Sequence, residues 1–169
     1  MTTSAANIPV AHTPPGGWTE WPPPVLAGCT EPLIDGAPDL RGVWRTTAVT
    51  DDAGAPLPGH PALQLLQRIE QSGDRIVITA GGVIHDMRCD GTEANGVHDV
   101  AEFDKATRIN VVATYENRVH VLRPVGFPIE VTRWRDGDDL LWKYVGFTAR
   151  CVRVGPPEFD PTELKPATP

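Results

Sequence analysis

From about residue 40 to residue 154 the chain reads as a series of short runs in which apolar and polar residues alternate, each run ended by a turn signal. DLRGVWRTTAVT alternates after Gly42 and stops at DDAGAPLPGHP. LQRIEQ and RIVITA flank Ser72-Gly73-Asp74, and VIHDM and VHDVAEF are joined by DGTEANG. TRINVVATY and RVHVLRP flank Glu116-Asn117, and PIEVTRWR and DLLWKYVGF flank Asp136-Gly137-Asp138 before TARCVRV closes the series. Period-two patterning between such turn clusters predicts strands and hairpins, here roughly nine or ten of them. One short helix is predicted at ALQLL, where Pro61 occupies a first helical position that tolerates its missing N–H. The spacing leaves no room for βαβ crossovers, so the pattern implies an all-β fold.

The strands do not show one wet face. In DLLWKYVGFTARCVRV one alternating set holds Leu141, Val145, Phe147 and Cys151, while the other holds Trp142, Tyr144, Val152 and Val154. A sandwich with a solvated outer face would alternate more cleanly. An antiparallel barrel of 8–10 strands, part-covered outside and lined inside by apolar and polar groups, accounts for both sets.

Composition changes abruptly at both ends. Residues 1–38 carry Pro9, Pro14, Pro15, Pro22, Pro23, Pro24, Pro32 and Pro38, which forbid regular helix and central strand. Trp18 and Trp21 argue against a free tail, because large aromatic side chains gain most from burial. The expectation is an extended arm packed on a barrel of residues 39–154, its tryptophans plugging a groove or an open barrel end. Residues 155–169 resemble the arm in composition but hold no tryptophan, and are expected to be loosely ordered.

A net charge of −7 and a pI near 5.1 argue against nucleic acid and against an anionic membrane surface as partners. The first residues have neither the basic nor the apolar region of a secretory signal, and no apolar run approaches the roughly 20 residues that span a bilayer. Cys29, Cys89 and Cys151 are widely spaced and odd in number, as reduced thiols in a cytoplasmic protein would be.

DLRGVWR, with Gly42-Val43-Trp44, resembles the Gly-x-Trp opening of lipocalin-like (calycin) barrels, and EVTRWRDGDDLLWKYVGFTARCVRV resembles their closing hairpin. The resemblance spans roughly residues 39–154 and implies an eight- or ten-stranded barrel around a small, usually hydrophobic molecule. It also implies an arginine near the end of the last strand packed over Trp44, a place that Arg150 or Arg153 would take.

The candidate chemistry centres on two His-Asp pairs, His85-Asp86 and His98-Asp99. Neighbours in a strand point to opposite faces, so one member of each pair faces the interior. One register would set His85 opposite Asp99 and Asp86 opposite His98; a slip of one residue abolishes both contacts. A carboxylate beside an inward histidine would orient its tautomer and raise its basicity, as a general base requires. The plainer alternative is a pair of half-exposed histidines satisfied by neighbouring groups. Other candidate ligand contacts are Tyr115, Arg133, Trp142, Tyr144 and Arg150. In VTRWR one of Arg133 and Trp134 faces inward, and tryptophan is the expected one. No short metal signature such as HxH or HExxH occurs, so zinc on His85, His98 and His120 is a minor alternative, as is haem.

The leading expectation is a small-molecule binding protein holding a largely apolar ligand in a barrel cavity, with no cofactor and a homodimer as one possible state. Two alternatives stand beside it. One is a cofactor-free isomerase, cyclase or lyase using a His-Asp pair; the other is a partner-binding module docked through the arm.

Overall fold

The computed structural model describes residues 3–163. Ten strands form one antiparallel sheet: β1 (Gly42–Asp51), β2 (Leu66–Ser72), β3 (Arg75–Ala80), β4 (Val83–Arg88), β5 (Val97–Val100), β6 (Arg108–Glu116), β7 (Val119–Pro124), β8 (Val131–Asp136), β9 (Asp139–Tyr144) and β10 (Phe147–Gly155). Their order is β4-β3-β2-β1-β10-β9-β8-β7-β6-β5, so every hairpin pairs with itself and β1 pairs with β10. The sheet curls into a nearly closed barrel whose two ends, β4 and β5, face each other across a seam. Their edges are joined by a single main-chain bond, Arg88 N–H to Asn95 O at 2.8 Å.

The strands form where the alternation predicts them, and the hairpin turns sit at residues that accept positive φ. Asn117 and Arg118 (φ 49° and 67°) turn β6 into β7 as a two-residue loop of the primed type that matches strand twist. Gly42, the glycine of Gly-x-Trp, has φ 152°, and a Cβ there would lie 2.7 Å from Arg153 Nε. Only glycine permits that approach.

The helix expected at ALQLL does not form. Residues 61–64 are turns, and Gln64 takes φ 67°. The Gln64 N–H donates to Thr46 O at 2.9 Å, and Thr46 N–H donates to Leu65 O at 3.0 Å. The segment thus spends its main-chain groups on β1, beside the irregularity between Thr46 and Ala48. One or two isolated helical turns could not compete, because helix nucleation fixes several residues for few bonds. Among the described residues the only helical pieces are two 3₁₀ turns, Ala5–Asn7 and Pro161–Glu163.

Two apolar cores result. The larger lies inside the barrel and includes Leu40, Trp44, Met87, Val111, Leu140 and Trp142. The smaller lies outside, where Ala5 and Leu26 of the arm pack on Val77 and Ile84 of β3 and β4. The arm is therefore laid across the outer face of β2–β4. Its tryptophans plug nothing: Trp18 is 38% exposed, and Trp21 lies beneath the Arg68 guanidinium, 5.5 Å from the ring centroid. On the C-terminal side, Phe159 packs against Gly155 and its carbonyl accepts from Arg68 Nη2 at 3.5 Å. The expectation for the tail beyond residue 163 lies outside the described residues.

The arginine over Trp44 is neither Arg150 nor Arg153. Arg135 of β8 takes that place, 5.3 Å from the Trp44 ring, while the Trp44 indole N–H donates to Leu40 O at 2.8 Å. Arg150 points outward and pairs with Asp136 and Asp139, and Arg153 donates to Arg41 O. For Arg150 side-chain parity is the reason: Cys151 of β10 is fully buried, which turns Arg150 to the outside.

Candidate functional site

Register builds a belt across the inside of the barrel. Tyr115 of β6 lies opposite His120 of β7, His120 opposite Arg133 of β8, and Arg133 opposite Trp142 of β9. Trp142 then faces Ala149 of β10, and Ala149 faces Val49 of β1. The belt is bulky and polar on one side and small and apolar on the other. Arg133, and not Trp134, is the inward residue of VTRWR, because the buried Val131 and Arg133 share one parity. The tryptophan favoured for burial instead lies half-buried on the outside.

The polar groups of the belt are buried but incompletely satisfied. Arg133 stacks over Trp142 at 5.2 Å and donates from Nε to Gln67 Oε1 at 3.1 Å. Its Nη1 has no partner, nor do His120 Nδ1 and Nε2 or the Trp142 indole nitrogen. Around them, Gln71 Nε2 donates to the Tyr115 hydroxyl at 2.9 Å, and the Thr46 hydroxyl lies 3.4 Å from Cys151 Sγ. A buried polar group without a partner costs about 1–3 kcal/mol. Arg133, His120 and Trp142, neighbours in the belt, share that condition.

Burial dominates the electrostatics. It pushes the Arg133 guanidinium down to about 10, partly opposed by the Glu102 carboxylate. It pushes the His120 imidazole down to about 3, with the Arg133 charge acting in the same direction, so His120 is neutral at pH 7. Burial raises Glu102 above the usual carboxylate range, against the pull of Arg133 and then Lys105. Among the described residues Arg133 forms no ion pair. A cation held in the core without a hydrogen-bonded anion is the main chemical feature of the interior.

The two His-Asp pairs are not brought together. His85 faces inward but lies opposite Ile78 of β3, and its Nε2 is 2.9 Å from Val100 O across the seam. Burial lowers its pKa, with the Val100 carbonyl and then Asp99 opposing. Asp86 faces outward, opposite Val77, and is held by Arg75 at 2.8 and 2.6 Å. His98 is exposed on β5, opposite Asn110, with ring nitrogens 2.8 Å from Asn110 Oδ1 and 2.7 Å from Glu93 O. Those two acceptors, foremost Asn110, raise its pKa. Asp99 accepts from the arm's Thr13 N–H at 3.0 Å. The register that would have joined the pairs does not exist, because β4 and β5 share no ladder. Neither histidine has a hydrogen-bonded carboxylate.

Of the other candidates, Tyr115, Arg133 and Trp142 are in the belt. Tyr144 is 38% exposed at the rim beside Phe147, and Arg150 is on the outer surface. Gln67 and Glu102 were not anticipated. Gln67 was within reach of parity, since it shares a face with the fully buried Ile69 in LQRIEQ. Glu102 lies in the β5–β6 connection and left no periodic signal. Among the described residues no group of three His, Cys, Asp or Glu side chains is placed to hold a metal ion, and no helix is long and apolar enough to cross a membrane.

No protein-family model matches the chain, and a search of curated proteins finds no match. Among solved structures it is similar to human cRBP IV, a cellular retinol-binding protein, with a TM-score of 0.54 and 16% identity. That similarity covers 69% of this chain and 98% of the other. The fold is a calycin-like barrel.

Proposed function

We propose that the barrel binds a small, largely apolar molecule carrying a carboxylate or similar anionic head, seated against the Tyr115–His120–Arg133–Trp142 belt. The observation that carries this reading is the buried, unpaired Arg133, with a free Nη1 and the unpartnered nitrogens of His120 and Trp142 beside it. Arginine and indole nitrogens only donate, and neutral imidazole donates from one nitrogen, so the set lacks acceptors. A carboxylate supplies them and offsets the buried charge. The apolar wall of Ile76, Ile78, Met87, Leu122 and Val131 would take the rest of the molecule. The fold's likeness to a retinol-binding protein is consistent with an apolar guest.

The test compares a long-chain fatty acid with the alcohol of the same chain by displacement of a fluorescent probe. The acid should bind at least about tenfold tighter, a margin set by one charge-assisted hydrogen bond of roughly 1.5–3 kcal/mol. Arg133→Met should remove the preference while leaving alcohol binding in place. Equal binding of acid and alcohol by the wild type would overturn the anionic head, and binding of neither would overturn the reading.

A further inference from the structure

The barrel's one gap is also the place where the arm is tied down. Thr13 stands at the β4 edge, its hydroxyl accepting from Ile84 N–H at 3.0 Å and donating to Ile84 O at 3.4 Å. Both edge groups of Ile84 are thereby satisfied by one side chain where a closed barrel would place a residue of β5. On the other side of the seam, Asp99 accepts from Thr13 N–H. Two residues earlier, Ala11 N–H donates to Asp86 Oδ2 at 2.9 Å. The arm thus bridges two strand edges that share no ladder.

Beneath it, on the outer side of the seam, lies a cavity of about 310 Å³. Met87, part of the interior core, contributes to it together with Asp86 of the outer face and with Gly96 and His98 at the β5 edge, while Ile8 and His12 of the arm form its roof. The cavity lies against the outer side of the seam, between the arm and the β4 and β5 edges.

We infer that the β4–β5 seam is the lateral passage between solvent and the barrel interior, and that arm residues 8–13 are its gate. This rests on the ligand reading above only for what passes through. The seam needs no ladder broken to widen, whereas parting any other neighbouring pair of strands breaks a ladder of main-chain bonds. Release of the Thr13 hydroxyl, the Asp99 bond and the Ala11 bond would uncover it while Ala5 and Leu26 stay anchored on Val77 and Ile84.

The full-length Thr13→Val and Thr13→Ser variants separate this inference from the ligand reading. Cys89 and Cys151 are both buried, the first directly after β4, a seam strand, and the second on β10, far around the sheet. Iodoacetamide alkylation, followed by peptide mass spectrometry, should show Cys89 reacting at least fivefold faster in T13V, with Cys151 unchanged and T13S close to wild type. Stopped-flow mixing with cis-parinaric acid, a fluorescent apolar carboxylate, should show association and dissociation both accelerated at least threefold in T13V, with Kd within twofold of wild type.

Unchanged Cys89 reactivity overturns the gate. So does a parallel rise at Cys89 and Cys151, which would make the arm a general stabiliser. Faster Cys89 alkylation with unaltered parinarate kinetics overturns the seam as the ligand's route. Failure of the wild type to bind parinarate counts against the ligand reading, and Cys89 then decides on the gate alone.

Discussion

Arg75 and Arg133 are both buried, and they differ in how their charge is met. Arg75 lies under the arm and uses all five of its N–H donors: two on Asp86, at 2.8 and 2.6 Å, and one each on Ala5 O, Ile8 O and Pro9 O. Arg133 faces the interior and makes one hydrogen bond, to the neutral Gln67. The first arginine is saturated by its own chain, so it has nothing left to offer a ligand and everything to do with holding the arm. The second carries the desolvation cost of a buried cation with no hydrogen-bonded anion, offset only in part by the Glu102 carboxylate nearby. A protein that needed only a filled barrel would do better with an apolar side chain there. The difference separates structural charge from charge kept for a guest, and each arginine can be used to test it.

The largest effect is expected on the saturated side. Arg75→Ala leaves Asp86 buried with only the Ala11 N–H and leaves the Ile8 and Pro9 carbonyls without a donor. Breaking a buried pair by removing one partner costs roughly 3–5 kcal/mol. Urea denaturation should show that loss, and limited proteolysis should cut the arm. A loss below about 1 kcal/mol would mean that Arg75 does not fasten the arm.

Arg133→Met should act in the opposite sense. Without an ion pair to break, removing the charge relieves desolvation, and the ligand-free protein should be as stable as wild type or more stable by about 1–3 kcal/mol. A strongly destabilised R133M would show that Arg133 is a structural group like Arg75, and would remove the main support for an anionic ligand.

His120 sharpens the same contrast through pH. Its folded pKa, about 3, lies below the ordinary 6.5, so the unfolded chain binds the proton first as pH falls. The stability it contributes is complete above about pH 6.5 and is lost as pH drops towards 3, at up to about 1.4 kcal/mol per pH unit for one proton. His85 is shifted in the same direction. His120→Phe should therefore flatten the acid limb of a stability–pH profile by about one proton, measured from urea midpoints between pH 4 and 7. An unchanged slope would mean that water or a neighbouring group already serves His120 in the interior.

The same contrast explains how much could be read from the sequence. Strand positions followed from turn chemistry and alternation, both local: Asn117 and Gly42 are where they are because their own backbone angles require it. The inward role of Trp142 was anticipated. What failed depended on pairing. The parity of VTRWR was ambiguous because Arg133 and Trp134 are both plausible on either face, and it is resolved by the β7–β8–β9 register. The register that would join the His-Asp pairs needs a β4–β5 ladder, and the seam has none. ALQLL became a turn because β1 offered its segment better main-chain partners than a short helix could. Each miss concerns a contact between residues distant in the chain, where periodicity carries no information.

The smallest effect is expected at Arg150, and it tests whether an arginine's worth follows its surroundings. Arg150 makes two ion pairs at 2.8 Å, as many as any arginine in the protein, but its side chain is 41% exposed. Exposed pairs are worth about 0–1 kcal/mol and weaken in salt. Arg150→Ala should lower the stability read from urea denaturation by less than about 1 kcal/mol in dilute buffer, with the difference vanishing in molar salt. Arg135→Ala is the paired control, because it uncovers the fully buried Trp44 and should keep its penalty at high salt. If Arg150→Ala were instead costly and insensitive to salt, the arginine closing the barrel would be Arg150 after all. Counting ion pairs would then predict stability better than the satisfaction of buried donors, and the distinction between Arg75 and Arg133 would lose its physical basis.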